Sequence, residues 1–147
     1  TTPYFIPDET LLRALIGAAL RGVDVRLVVS KELDQFLVGF AQRSYYDELL
    51  AAGVSIYHYR TRFLHAKHLS VDDAVVEIGS SNMDIRSFAL NAEAGVLVYD
   101  PALAAELKRV QMRQMDESDR LSLDEWRARP RIRQVAENMA RLFDSLL

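Results

Sequence analysis

The 147-residue chain has no cysteine, which excludes disulfides, thiolate metal ligands and a thiol nucleophile. Its three histidines are too few, and too scattered among carboxylates, to make a zinc site, so no metal and no other cofactor is expected. Basic residues are also in short supply. Eighteen Lys and Arg against 21 Asp and Glu leave a net charge of −3, without the basic excess of a nucleic-acid-binding surface, and no nucleic-acid partner is expected. No apolar run approaches the ~20 residues needed to cross a bilayer. No signal-peptide pattern is read in these residues, and the chain opens Thr1-Thr2-Pro3 without an initiator methionine. That opening reads as the inside of a strand, and the expectation is a piece of a longer protein. What remains is an ordinary globular balance, half hydrophobic and 27% charged, with enough chain to bury one core. A single domain over 1–147 is expected.

Hydrophobic periodicity divides the chain into strands and helices. Residues 1–6 read as a short strand ended by Pro7. Asp8 is placed to cap a helix carrying Leu11, Leu12, Leu15, Ile16, Ala19 and Leu20 on one stripe, with Gly22 where a left-handed C-terminal residue belongs. Residues 24–30 form a β-branched strand, which would complete a βαβ unit with a parallel pair. A helix over about 35–52 stops at Gly53, and 54–59 is again a strand. Then 63–71, 74–80 and 94–99 read as closely spaced strands, the first two joined by a tight Asp72-Asp73 turn into an antiparallel hairpin. From about residue 101 the chain turns helical. Leu103, Leu107, Val110 and Met115 give one stripe; Ile132, Val135, Met139, Leu142, Phe143 and Leu146 give a last amphipathic segment after Pro130. The fold class expected is α/β, a mixed β-sheet flanked by helices.

The chemistry concentrates in two short stretches. His65 and Lys67 are two apart on a predicted strand and so leave the same face. Ser80 and Asn82 repeat that spacing at the end of the adjacent strand. Pairing around Asp72-Asp73 would bring the four polar groups to one patch. Such a set suits a phosphodiester: an imidazole attacks phosphorus or moves a proton, while an ammonium, a hydroxyl and an amide stabilise the charge that builds on the non-bridging oxygens. Either stretch alone is commonplace. The composite HxKxxxxD, six residues, then GSxN is not.

That composite resembles the HKD signature of the phospholipase D superfamily. The flanks TPYFIPDETLLRAL, RGVDVRLVV, RSYYDELLAAGVSIYHY and GSSNMDIRSFALNAEAGVLVYD narrow the resemblance to the C-terminal halves of bacterial cardiolipin synthases, from residue 1 to about 145. The resemblance implies a phospholipase D/nuclease-like fold and a catalytic set of His65, Lys67, Asp72, Ser80, Asn82 and Glu93. Glu93, eleven residues beyond Asn82, would hydrogen-bond the active histidine and fix its tautomer. It also implies a two-step phosphatidyl transfer between phosphatidylglycerol molecules through a phosphohistidine. A second histidine is needed, supplied by an N-terminal HKD half of the same polypeptide or by a second copy. In the family the first half usually supplies the nucleophile, which would make His65 the general acid/base. Implied partners are an anionic phospholipid and the membrane surface, with the domain on the cytoplasmic side of a membrane-associated protein. Two other readings stay open: a homodimeric phospholipase D or nuclease-like phosphodiesterase, and an inactive half-domain acting as a binding module.

Other features carry less. His68 faces away from His65 on its strand, and His58 has no motif around it; both read as structural. Phe36, Leu37, Val38 and Phe40, with Tyr45, Tyr46, Leu49 and Leu50, would make a continuous helix apolar on both sides. Burial is the expectation for these residues, with contact to lipid, or a helix broken at Gly39, as the alternatives. Tyr4 and Phe5 are assigned to core or substrate channel, Arg86 and Ser87 to bracing the loop after Asn82. Arg127, Arg129, Arg131 and Arg133 read as a solvated junction near Asp124 and Glu125, with attraction to anionic lipid as the alternative.

Overall fold

The computed structural model describes residues 1–33 and 35–142. The expected α/β class, with mixed strand pairing flanked by helices, is found, and the strands form three small ladders. Strand β1 (Phe5–Ile6) pairs parallel with β6 (Met83–Asp84). Strands β2 (Arg26–Ser30), β3 (Ser55–Tyr59) and β8 (Ser118–Arg120) form the second ladder, parallel between β2 and β3 and antiparallel between β3 and β8. Strands β4 (His68–Val71), β5 (Val75–Gly79) and β7 (Gly95–Tyr99) form the third, antiparallel throughout. Thr1 and Thr2 join the ladders. Thr1 and His68 exchange backbone hydrogen bonds at 2.8 and 3.1 Å, and Thr2 N donates to the Val28 carbonyl at 3.1 Å.

Helix α1 (Glu9–Leu20) begins as expected, with the Asp8 carboxylate accepting from Leu11 N at 2.8 Å, and Gly22 beyond its end takes a φ of +88°. The βαβ unit expected over 1–30 is held by the parallel bridge of Thr2 to Val29, while Phe5–Ile6 pairs with β6. A second parallel crossover, repeating the pattern as expected, runs from β2 through α2 (Phe36–Ser44) and α3 (Tyr46–Ala51) to β3. The helix expected over 35–52 is therefore two helices, and the break falls at Tyr45, with Gly39 buried inside α2. The break lets Tyr45, Tyr46 and Leu49 all enter the core with Phe5, Leu12, Val29 and Ile56, each large side chain contributing about 1.5–3 kcal/mol. Phe36 and Leu37, expected buried, remain 75% and 59% exposed at the start of α2; the core beneath is already filled by Val38 and Ala41.

The C-terminal part holds three further corrections. Strand β8 follows α5 (Pro101–Asp116) where only helix was expected. Helix α7 (Arg131–Arg141) presents Ile132, Val135 and Met139 outward, and Leu142 just beyond is exposed too, whereas Glu137 and Ala140 are buried. Phe143 and Leu146 of the predicted stripe lie outside the described residues. The arginines before α7 are not merely solvated. Arg127 makes a two-bonded pair with Asp47 at 2.8 and 3.0 Å, and Arg129 one with buried Glu137 at 2.7 and 3.0 Å while lying 3.1 Å over the Trp126 ring. Neither pairs with Asp124 or Glu125, although the Asp124 charge also favours the Arg127 guanidinium. These pairs hold the polar side of α7 and the turn before it against α2, α3 and α6 (Leu123–Arg127), which leaves the apolar side facing out.

Strand direction places the site. Segment 1–6, β2 and β3 run parallel, β4 runs opposite to them, and β5 returns. The loops after β2 and β3, the start of β4, the end of β5 and the start of β7 consequently meet at one edge of the fold. Ligands of open α/β sheets gather at the carboxyl ends of parallel strands for the same reason. No helix among the described residues is long and apolar enough to cross a membrane.

Candidate active site

At that edge His65 and Lys67 precede β4 rather than lying on it. The chain leaves the ladder here because Leu64 N is held by the Ser30 hydroxyl at 3.2 Å, which draws residues 63–65 over the end of β2. Lys67 still joins the sheet through its carbonyl, which accepts from Gly79 N at 3.2 Å. The two side chains share a side, and Lys67 Nζ lies 3.0 Å from His65 Nε2. Phe63 stacks obliquely 5.7 Å from the imidazole.

Across the ladder Ser80 closes the mouth of β5 and β7. Its amide donates to the Ala94 carbonyl at 2.9 Å, and its hydroxyl accepts from Ala94 N at 3.0 Å and donates to a Glu93 carboxylate oxygen. The other Glu93 oxygen accepts from Asn91 Nδ2 at 3.3 Å. Glu93 is thus engaged by Ser80 and Asn91 rather than by the imidazole, contrary to the role expected of it.

The charges at this edge are coupled. Burial pushes the Lys67 ammonium below the ordinary lysine range, opposed by the negative charges of Glu93 and Asp84. The Ser80 hydroxyl holds the Glu93 carboxyl below the usual carboxylate range, helped by Asn91, Ser87 and the charge of Lys67. Lys67 and Glu93 thus stand on either side of the Gly79-Ser80 strand end, each acting on the other through its charge. Such an arrangement can orient an anionic phosphoryl group toward Lys67 and away from Glu93.

Asn82 follows in the loop to β6. Its amide nitrogen donates to Ser87 Oγ at 3.1 Å, and its side-chain oxygen is buried without a hydrogen-bond partner. Ser87 itself is buried in α4 (Ile85–Ala89), whose N-cap Asp84 accepts from Ser87 N at 2.7 Å. Ser87 thus braces the loop after Asn82. Asp72 is not brought to this edge. It occupies the β4–β5 turn at the opposite end of the hairpin with φ +53°, a left-handed position that Asp tolerates better than most residues.

The remaining histidines are packed. His58 sits against Tyr46 and Trp126, and burial lowers its pKa to about 4. His68 Nδ1 meets Gln111 Nε2 at 3.3 Å, and burial lowers its pKa to about 4 as well. Asn91 and Asp84 were missed by sequence reasoning. Both lie within the GSSNMDIRSFALNAE stretch, where the Asx-capping position before IRSF was the available signal for Asp84.

Residues 1–115 match the family described as cardiolipin synthase, PLD-like domain. The chain is 41% identical over 147 residues to cardiolipin synthase A of Proteus mirabilis, covering 100% of this chain and 30% of that protein. It is 43% identical over 146 residues to cardiolipin synthase 2 of Bacillus anthracis, covering 99% and 28%. The chain spans about 30% of the length of these curated relatives. Its fold is similar to the phospholipase D family member Nuc from Salmonella typhimurium (TM-score 0.69, 23% identity, 80% and 77% of the two chains). It is likewise similar to phosphatidylserine synthase from Haemophilus influenzae Rd KW20 (TM-score 0.73, 21% identity, 99% and 40%). From the match over 1–115, the identity along its whole length and the shared mixed α/β fold, the chain belongs to the family of cardiolipin synthase PLD-like domains.

Proposed function

We propose that this chain is one half of the active site of a cardiolipin-synthase-type phosphatidyltransferase, with His65, Lys67, Ser80, Asn82 and Glu93 at its reacting edge and Asp72 setting the hairpin turn. The observation that carries the reading is the gathering of His65, Lys67, Ser80 and Glu93 at one strand edge, with the ammonium 3.0 Å from the imidazole nitrogen. In the first step a histidine nitrogen from the other half bonds to the phosphorus of phosphatidylglycerol as the bond to glycerol oxygen breaks. His65 gives the leaving oxygen its proton. In the second step His65 takes a proton from the hydroxyl of another phosphatidylglycerol, whose oxygen bonds to phosphorus as the phosphorus–nitrogen bond breaks. Lys67 and the Asn82 amide stabilise the non-bridging oxygens in both steps.

The other half comes from the same polypeptide, in keeping with the roughly 30% share of the relatives' length that this chain spans and with the uncovered apolar side of α7. The acyl chains stay in the bilayer, so the reacting edge faces a membrane, on the cytoplasmic side in this proposal. Exposed Phe36 and Leu37 follow β2 and exposed Phe63 follows β3 at that edge. In the polypeptide that carries this chain, His65→Ala is expected to abolish formation of cardiolipin from phosphatidylglycerol vesicles, and the covalent phosphatidyl label of wild type should map to another histidine. Retained turnover would refute the role of His65, a label on His65 would reverse the two roles, and phosphatidic acid made by a dimer of this chain alone would replace the transferase by a two-copy hydrolase.

A further inference from the structure

A groove of about 570 Å3 opens beside His65 between the β3–β4 loop and α5. His65 shares its lining with Arg62 from the loop and Arg113 from the helix, over Phe63, Leu64 and Val110. Among the described residues no ion pair holds either guanidinium. The one carboxylate in the groove, Glu117, is engaged by the Tyr59 hydroxyl at 2.8 Å and the Thr61 hydroxyl at 3.4 Å. From Tyr59 to Val71 the sequence contains no acidic residue. Neighbouring Arg60, by contrast, is paired with Asp119 at 3.3 Å.

Two planar cations outside any ion pair, set against the single carboxylate of Glu117, stand beside the reactive histidine and make a site for a phosphate other than the one undergoing substitution, because Lys67 and the β5 end already serve that one. The transfer proposed above supplies such a group. An acceptor phosphatidylglycerol carries its own phosphodiester, separated from the attacking hydroxyl by the three carbons of glycerol. Guanidinium is the group suited to holding it, since its fork of N–H donors matches two phosphate oxygens. We propose that Arg62 and Arg113 form a subsite for the phosphodiester of the acceptor lipid, so that the enzyme selects an anionic lipid alcohol over water and neutral alcohols. This rests on the transferase reading of the same site.

The test uses the polypeptide that carries this chain, labelled phosphatidylglycerol vesicles as donor, and ethanol in the buffer. Cardiolipin reports the anionic acceptor; phosphatidylethanol and phosphatidic acid report neutral alcohol and water. Both arginines are exposed, so Arg62→Gln and Arg113→Gln leave the fold in place, which thermal unfolding checks. The double variant is expected to lose cardiolipin formation by about tenfold or more while phosphatidylethanol and phosphatidic acid together stay within about twofold of wild type, and Lys replacements should recover part of the loss. Equal loss of all products, or loss of none, overturns the subsite. Inorganic phosphate that suppresses wild-type cardiolipin formation at concentrations below that of the lipid would assign the groove to free phosphate, and also overturns it. A wild-type protein that makes phosphatidic acid but neither transfer product defeats the transferase reading, and the subsite with it.

Discussion

Gly79, the glycine of the GSxN stretch, offers a steric test of how the reacting edge is held. A Cβ added there would lie 2.8 Å from Glu77 Oε1, 3.0 Å from the Ala94 carbonyl oxygen and 3.1 Å from Gly95 Cα. The carboxylate can swing away, but the other two atoms are backbone of the paired strand, so β5 and β7 must separate by several tenths of an ångström. Overpacking of this kind costs about 1–3 kcal/mol, offset by about 0.5–1 kcal/mol because alanine leaves the unfolded chain less entropy to lose. The net loss expected for Gly79→Ala is about 1–2 kcal/mol, or roughly 2–8 °C for a domain of this size. Gly95→Ala is the control on the facing strand. Its Cβ would meet only Glu77 Oε1 at 2.9 Å and nothing else nearer than 3.8 Å, so its stability should stay within about 0.5 kcal/mol of wild type. Gly79→Ala should also reduce turnover more than its stability loss explains, since the displaced strands carry the Ser80–Ala94 hydrogen bonds and the Ser80–Glu93 contact, and a shift near 1 Å costs on the order of 100-fold. Paired thermal or urea unfolding, with turnover measured on the same samples, checks both. Equal unfolding midpoints for the two variants would refute the reasoning.

Three further outcomes are expected. The unfolded chain protonates His58 and His68 near pH 6.5, but burial lowers both folded pKa values to about 4, so each should remove about 3 kcal/mol of stability as pH drops from 6.5 to 4; His58→Phe should remove about half of that slope from a urea-midpoint profile, and an unchanged slope would assign it to other groups. Glu137→Ala strands the Arg129 guanidinium, whose side chain is only 19% exposed, and should cost about 3 kcal/mol; adding Arg129→Met should recover most of it, and no recovery would show that lost packing, not the stranded charge, is responsible. Phe36→Ser with Leu37→Ser should weaken binding to anionic liposomes with a stability change below about 0.5 kcal/mol; lost stability with unchanged binding would make the two side chains structural.

Much of the site was legible because short-range rules decide it. An Asp before an apolar helical stripe caps α1, and Asp72-Asp73 between two β-branched runs makes the β4–β5 hairpin. Once that hairpin is known, the two-residue spacings of His65 and Lys67 and of Ser80 and Asn82 put them at one edge. The sequence by itself therefore determined the α/β class and the family, and proposed the residues of the reacting edge. Only the tertiary structure decided what depends on strand order and on which side of a helix the rest of the fold can cover. It placed β5 between β4 and β7 and set the Glu93 carboxylate against the Ser80 hydroxyl at the end of β5. It broke the 35–52 helix at Tyr45 so that two tyrosines and Leu49 share one core. And it turned the apolar side of α7 outward, because the buried Arg129–Glu137 pair and the Arg141–Glu48 pair at 2.9 Å hold its polar side against α2 and α3. Such choices arise between residues far apart in sequence, where periodicity fixes which residues share a face but not which face is covered.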